Sequence, residues 1–166
     1  NYQGMGTTLT IALIVDGHLL VGEIGDSRCY ALVERKLKQF TEDQTYVGYL
    51  YRTGKITKDE MKTHPKRHVL MNALGIFPSV NIDLKAFQYN KETLLVCSDG
   101  LYNNVPDLEI GNILRSDEST EQKVNEFRKN ALSISNKIKG TNMMEDVYFQ
   151  MTESRNTDYN VADNND

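Results

Sequence analysis

The chain carries near its start the run Thr7-Thr8-Leu9-Thr10-Ile11-Ala12-Leu13-Ile14-Val15, then Asp16-Gly17, then His18-Leu19-Leu20-Val21-Gly22-Glu23-Ile24. The first run is rich in β-branched residues, which favour strands. Asp-Gly between two apolar runs is a strong hairpin signal, because a type I′ turn needs positive φ at both of its central residues. The segment therefore predicts an antiparallel hairpin that turns at Asp16-Gly17.

Further strands are predicted on both sides of a polar central stretch. Residues 29–33 and 38–40 continue the meander, with a turn at 34–36. Residues 80–84 alternate with period two, and 93–97 form a continuous apolar run that suits a buried strand. Residues 146–151 predict a last strand.

Helices are predicted in the polar centre and near the C-terminus. In the stretch 43–64, Thr57 followed by Glu60 fits a capping box, and Gly54 ends the helix before it. Ser119 followed by Gln122 opens a longer helix. Meanders of strands combined with such helices predict an α+β layered domain rather than a parallel α/β sheet.

Composition excludes several classes of protein. The chain has 166 residues, 19 Lys and Arg against 23 Asp and Glu, and a net charge of −4. This length suits one domain, or a piece of a larger one. The acidic balance argues against a nucleic-acid partner, and no apolar run is long enough for a membrane span. Only Cys29 and Cys97 are present, so we expect reduced thiols and a cytoplasmic location.

Two turns place a carboxylate directly after an apolar strand and beside a glycine. One is Gly25-Asp26-Ser27-Arg28 and the other is Ser98-Asp99-Gly100. Two rigidly held carboxylates suit a hard cation with oxygen ligands, such as Mg²⁺ or Mn²⁺. Asp and Gly are also common in ordinary turns that follow strands. Spacing alone leaves both interpretations open.

Six short motifs occur in a fixed order along the chain. They are Met5-Gly6-Thr7-Thr8, Gly25-Asp26-Ser27-Arg28, Thr41-Glu42-Asp43-Gln44, His64-Pro65-Lys66-Arg67-His68-Val69-Leu70, Ala73-Leu74-Gly75 and Cys97-Ser98-Asp99-Gly100-Leu101. This ordered set resembles the bacterial type-2C (PPM) metal-dependent protein Ser/Thr phosphatases. The resemblance implies an antiparallel β-sandwich flanked by helices. It also implies that the fold is incomplete at the N-terminus, because family members carry a further part of the domain ahead of the first motif.

The resemblance also implies a reaction and its cofactors. Family members hold two core Mn²⁺ or Mg²⁺ ions, and bacterial members a third, and metal-bound water attacks phosphoserine or phosphothreonine. Asp99 would be a core metal ligand, and Asp26 would help to hold the third ion. The implied partners are phosphorylated Ser/Thr proteins, within the pathway of a cognate Ser/Thr kinase.

The last core ligand has three candidates. The family places it in a turn before the final strand, and the corresponding motif is absent here. Asp146 is favoured because the residues behind it are strand-like. Asp163, which is followed by Asn164, and Asp166 are the alternatives.

The predicted domain spans 1–151, with a flap subdomain at about 43–68, and the polar segment 152–166 is expected to be a disordered tail. In the flap, Lys66 and Arg67 could attract a phosphorylated substrate or form a solvated surface. Because part of the family's first metal shell is absent from these residues, a non-catalytic pseudophosphatase or binding module is an alternative function. A plain divalent-cation-binding domain is a third. An uncovered core would favour association with another chain.

Overall fold

A computed structural model of the chain describes residues 4–138 and 149–152. Within these ranges the elements are β1 (Leu9–Val15), β2 (His18–Ile24), β3 (Arg28–Val33), β4 (Lys36–Gln39), α1 (Tyr46–Arg52), α2 (Lys58–Thr63), β5 (Asp83–Gln88), β6 (Leu94–Cys97), α3 (Asp99–Tyr102), α4 (Asp107–Arg115), α5 (Thr120–Ile138) and β7 (Phe149–Thr152). One sheet has the order β1-β2-β5 and the other β4-β3-β6-β7, with antiparallel neighbours throughout. The predicted α+β architecture with antiparallel sheets and flanking helices is confirmed.

Two tight hairpins build the first half of the fold. In the first, Val15 pairs with His18, and both intervening residues have positive φ, 48° at Asp16 and 72° at Gly17. This confirms the predicted turn. The second hairpin joins β3 to β4 through Glu34 and Arg35, which also have positive φ.

The four-stranded sheet is covered on both faces. Successive residues of a strand point to opposite faces, so neighbouring residues of β3 contribute to different clusters. On one face, Cys29 and Ala31 pack with Leu19 and Val21 of the other sheet. On the opposite face, Tyr30 joins a cluster formed by Val105, which lies between α3 and α4, and by residues of α3, α4 and α5, namely Leu101, Ile110, Ile113, Leu114, Phe127 and Ala131. The layers therefore run helices, four-stranded sheet, three-stranded sheet.

The outer face of the three-stranded sheet is apolar and exposed. Ile11 and Leu13 of β1 are each 51% exposed, and Leu84 of β5 is 68% exposed. Ile11 and Leu84 flank Gly22 of β2 across the sheet. A contiguous apolar patch of this kind is typical of a surface that a further layer covers.

Several predicted elements are confirmed, and others have different limits in the structure. The predicted helical stretch is two helices, α1 and α2, separated by a turn that contains Gly54. Ser119 and Gln122 cap the start of α5 as expected. The strand predicted at 80–84 was placed too early, since β5 begins at Asp83 opposite Glu23, where its partner β2 is about to end. Residues 146–148 and the tail from 153 lie outside the described residues, and the domain limits stay predictions.

Candidate functional site

The fold brings the two acidic turns to the same end of the four-stranded sheet. Asp26 lies in the turn between β2 and β3, and Asp99 is the first residue of α3, directly after β6. Strands β3 and β6 are neighbours, with Arg28 opposite Cys97, so the start of one meets the end of the other. The Tyr102 hydroxyl of α3 donates to the Asp26 carbonyl oxygen at 2.8 Å.

The electrostatics of this corner favour a cation. Burial raises the pKa of Asp26 to about 6, and the negative charges of Asp99 and Asp43 contribute to the rise, while Arg28 opposes it. Neighbouring carboxylates destabilise each other's negative charge, and a divalent cation bound between them stabilises both charges. Hard oxygen donors in this arrangement therefore fit Mg²⁺ or Mn²⁺.

The described residues do not form a complete metal site. Within 4–138 and 149–152, no group of three or more His, Cys, Asp or Glu side chains is arranged to hold a metal ion. Asp146, predicted as the last core ligand, lies outside the described residues, as do its alternatives Asp163 and Asp166. The structure therefore brings the turns of Asp26 and Asp99 together, and metal binding by Asp26, Asp99 and Asp146 stays a prediction.

The motif at 41–44 lies against the Asp26 turn. The Gln44 side chain accepts a hydrogen bond from the Gly25 N–H, and the Gln44 N–H donates to the Gly25 carbonyl, both at 2.8 Å. The Glu42 N–H donates to Glu23 Oε2 at 2.9 Å. Arg28 makes a two-point ion pair with Asp43, at 2.6 and 2.8 Å. The segment that precedes α1 is thus fixed to the turn that carries Asp26.

The chain after the motif at 41–44 leaves the sheet and returns beside residues 44–46. Helices α1 and α2 form the excursion, and its return is marked by two hydrogen bonds, from the Tyr46 N–H to the Val69 carbonyl and from the Met71 N–H to the Gln44 carbonyl, both 2.8 Å. From here on the name flap denotes residues 46–70, in place of the predicted limits of about 43–68, and residues 41–45 are called the flap base. A cavity of about 270 Å³ lies beside the base, lined by Gln44, Tyr49, Arg52, Met71, Asn72 and Asn81.

Lys66 and Arg67 lie on the flap, in the turn after α2, and both are exposed. The Lys66 ammonium lies 5.3 Å from the centroid of the Tyr46 ring, a cation–π contact. Their positions place two positive charges on the flap surface rather than in the acidic corner.

Two features of the corner were missed from the sequence. One is the stacking of Arg28 on Tyr102, for which the sequence holds no signal, since the two residues are far apart along the chain. The other is Glu23, which is 1% exposed. A signal for it existed, because Glu23 continues the inward-facing alternation of Leu19 and Val21 along β2.

Comparison with known proteins identifies the class. No protein-family model matches the chain. The Serine/threonine phosphatase stp of Listeria welshimeri is 40% identical over 126 residues, which are 75% of this chain and 50% of that protein. The crystal structure of Serine/threonine phosphatase Stp1 from Staphylococcus aureus superposes with a TM-score of 0.82 and 32% identity, covering 93% of this chain and 58% of that one.

A third similarity bears on the metal. The catalytic domain of serine threonine protein phosphatase PstP, solved in complex with two manganese ions, matches with a TM-score of 0.70 and 33% identity, over 79% of this chain and 54% of that one. The chain is therefore similar, in sequence and in fold, to bacterial Ser/Thr phosphatases. It matches part of the bacterial type-2C (PPM) phosphatase domain, and it spans about half the length of the relatives it matches. None of the described helices is long and apolar enough to cross a membrane.

Proposed function

We propose that the protein hydrolyses phosphoserine and phosphothreonine in phosphoproteins with the help of bound divalent cations. The observation that carries this proposal is the convergence of Asp26 and Asp99, through the pairing of β3 with β6, in a chain 40% identical to a named Ser/Thr phosphatase over 126 residues. Paired hard oxygen donors at the end of a packed sheet are suited to this chemistry.

The proposed cofactors are two core Mn²⁺ or Mg²⁺ ions and an accessory third. When bound, such ions activate water and neutralise phosphate charge. Asp99 would be a core ligand, and Asp26 would hold the accessory ion. Asp146 is proposed as the last core ligand. The backbone of the Asp26 turn is already held by Tyr102 and Gln44, so its carboxylate is presented with little further ordering.

Lys66 and Arg67 are proposed to attract the phosphorylated segment of a substrate. The flap carries six Lys and Arg residues against two Asp and Glu, whereas the whole chain has a net charge of −4. Asp59 pairs with Lys62, and Glu60 caps α2, so both flap carboxylates are engaged within the flap. The net positive charge of the flap would raise the local concentration of an anionic partner.

The proposed partners follow from the reaction. A Ser/Thr kinase must produce the phosphoproteins that this activity consumes. We place both activities in the cytoplasm. The two buried free thiols, Cys29 and Cys97, are compatible with a reducing compartment.

The test is Mn²⁺-dependent release of phosphate from a phosphothreonine peptide. We expect Asp99→Asn to abolish release, because it removes a proposed ligand charge. Asp117→Asn, at an exposed position after α4, is the matched control and should retain wild-type release. Equal activity of Asp99→Asn and wild type would contradict the assignment.

A non-catalytic phosphoprotein-binding module is the second candidate. It is favoured by the absence of a three-ligand group within the described residues. Binding of the same phosphopeptide without phosphate release, by folded protein at saturating Mn²⁺, would support it. Hydrolysis that depends on Asp99 would exclude it.

A further inference from the structure

The side chain of Arg28 is held by three different segments of the chain. Its Nε and Nη2 atoms donate to the two carboxylate oxygens of Asp43 in the flap base, and the side chains of this pair are 18% and 12% exposed. Its Nη1 donates to the Tyr30 hydroxyl at 2.9 Å. Its guanidinium carbon lies 3.5 Å from the centroid of the Tyr102 ring in α3. Only a planar, forked cation can satisfy a carboxylate and stack on a ring at once.

Tyr102 connects this contact to both acidic turns. It belongs to the single-turn helix that Asp99 begins, and its hydroxyl donates to the carbonyl of Asp26. A shift of the guanidinium would therefore move Tyr102 and, through it, the backbone of the Asp26 turn.

We infer that Arg28 is a positioning residue that couples the seating of the flap to the arrangement of the two acidic turns. It acts through Asp43 on one side and Tyr102 on the other. Other bonds also fix the flap base, between Gln44 and Gly25 and between Glu42 and Glu23. Because these bonds remain, weakening Arg28 loosens the flap and the corner together without unfolding the domain.

Hydrogen exchange of backbone amides tests this coupling without reference to activity. Arg28→Lys keeps the charge and loses the two-point pair and the stack. Losing a buried charge-assisted contact of this kind should raise exchange about tenfold. We expect that rise in two places, the flap base with α1 (41–52) and α3 with its flanking residues (98–104). Residues 94–97 of β6, in the core, should exchange as in wild type. Arg35→Lys, at an exposed hairpin position, is the matched control and should change neither region.

Two variants of Tyr102 separate the two halves of the coupling. Tyr102→Phe keeps the ring under Arg28 and loses the bond to Asp26, so only the α3 peptide should exchange faster. Tyr102→Leu loses the stack as well, so both peptides should exchange faster. The inference is overturned if Arg28→Lys affects the flap base alone, or if it raises exchange equally in the β6 core peptide.

A kinetic readout extends the test and rests on the proposed function. In protein that hydrolyses both substrates, Arg28→Lys should raise KM about five- to tenfold more for a phosphothreonine peptide than for para-nitrophenyl phosphate, because only the peptide reaches the flap. An equal effect on both substrates would exclude action through the flap. Exchange coupling without any hydrolysis would sustain the inference and contradict the proposed function.

Discussion

Glu23 is a buried carboxyl whose ionisation should make the protein less stable as pH rises. It lies on β2 and is 1% exposed; Oε2 accepts from the Glu42 N–H, while Oε1 has no hydrogen-bond partner among the described residues. The charged groups around it are Asp43 in the flap base and, on β5, Asp83 and Lys85. Burial first, and then the two aspartates, raise the pKa of Glu23 to about 8, against opposing effects of the Glu42 N–H and Lys85.

The sign follows from proton binding. Between pH 4.5 and about 8 the folded protein keeps the proton on Glu23, and the unfolded chain, with an ordinary glutamate pKa, has lost it. The unfolded state thus binds fewer protons, and stability falls as pH rises through this window. At 1.36 kcal/mol per pH unit, the full difference amounts to about 4–5 kcal/mol. The contribution of protonated Glu23 to the free energy of unfolding is therefore complete below pH 4.5 and is lost above about pH 8.

Glu23→Gln removes the titration and keeps an oxygen that can accept from the Glu42 N–H. The assay is urea unfolding at a series of pH values from 4.5 to 8.5. We expect the free energy of unfolding of wild type, relative to the variant, to fall by about 4 kcal/mol across this range. Groups shared by both proteins cancel in this difference. Glu42→Gln, at an exposed position of the flap base, is the control and should follow wild type. Parallel pH profiles of wild type and Glu23→Gln would refute the reasoning.

Three further changes test the packing. Gly25→Ala should lower the free energy of unfolding, measured in urea, by at least about 2 kcal/mol, because φ is 111° and the new Cβ would collide with the Thr8 side chain. An unchanged urea midpoint would contradict this geometry. Phe127→Ala, at a fully buried position, should lower the free energy of unfolding by about 3–5 kcal/mol. Leu108→Ala, at a position that is 75% exposed, should lower it by less than about 0.5 kcal/mol. Similar losses for the two variants would show that the helical layer is misplaced. Ile11→Thr on the exposed sheet face should reduce binding of an apolar dye without lowering the thermal midpoint, and a large loss of stability would mean that this face is covered.

The hairpins and caps could be predicted because their causes are local. Asp16-Gly17 supplies the positive φ values of its turn, and the capping box of Thr57 and Glu60 needs only four consecutive residues. The start of β5 could not be predicted in this way. Its limits depend on where β2 ends, which is a property of the pairing and not of residues 80–84 themselves.

The candidate site likewise has features with a local cause, which could be predicted, and features that depend on distant parts of the chain, which could not. The acidic turns were found because each is a short motif beside a strand. Their proximity depends on β3 lying next to β6, although some sixty residues separate these strands along the chain. The resemblance to a family supplied that proximity as an expectation, and the residues alone left it open. The ion pair of Arg28 with Asp43 likewise requires the flap base to fold back onto the Asp26 turn.

The flap and the acidic corner differ in what holds them, and this difference bears on function. The corner lies at the end of β3 and β6, which are buried between two apolar clusters. The flap has much less packing, since α2 buries no residue and α1 buries only Val47, Gly48 and Leu50. Segments with few buried contacts open at lower free energy than the core does. Helices α1 and α2 can therefore open locally while the flap base stays paired with Arg28, and as long as the base is seated the two acidic turns keep their arrangement. For the proposed phosphatase activity, such an opening would give the phosphorylated residue of a protein substrate access to Asp26 and Asp99.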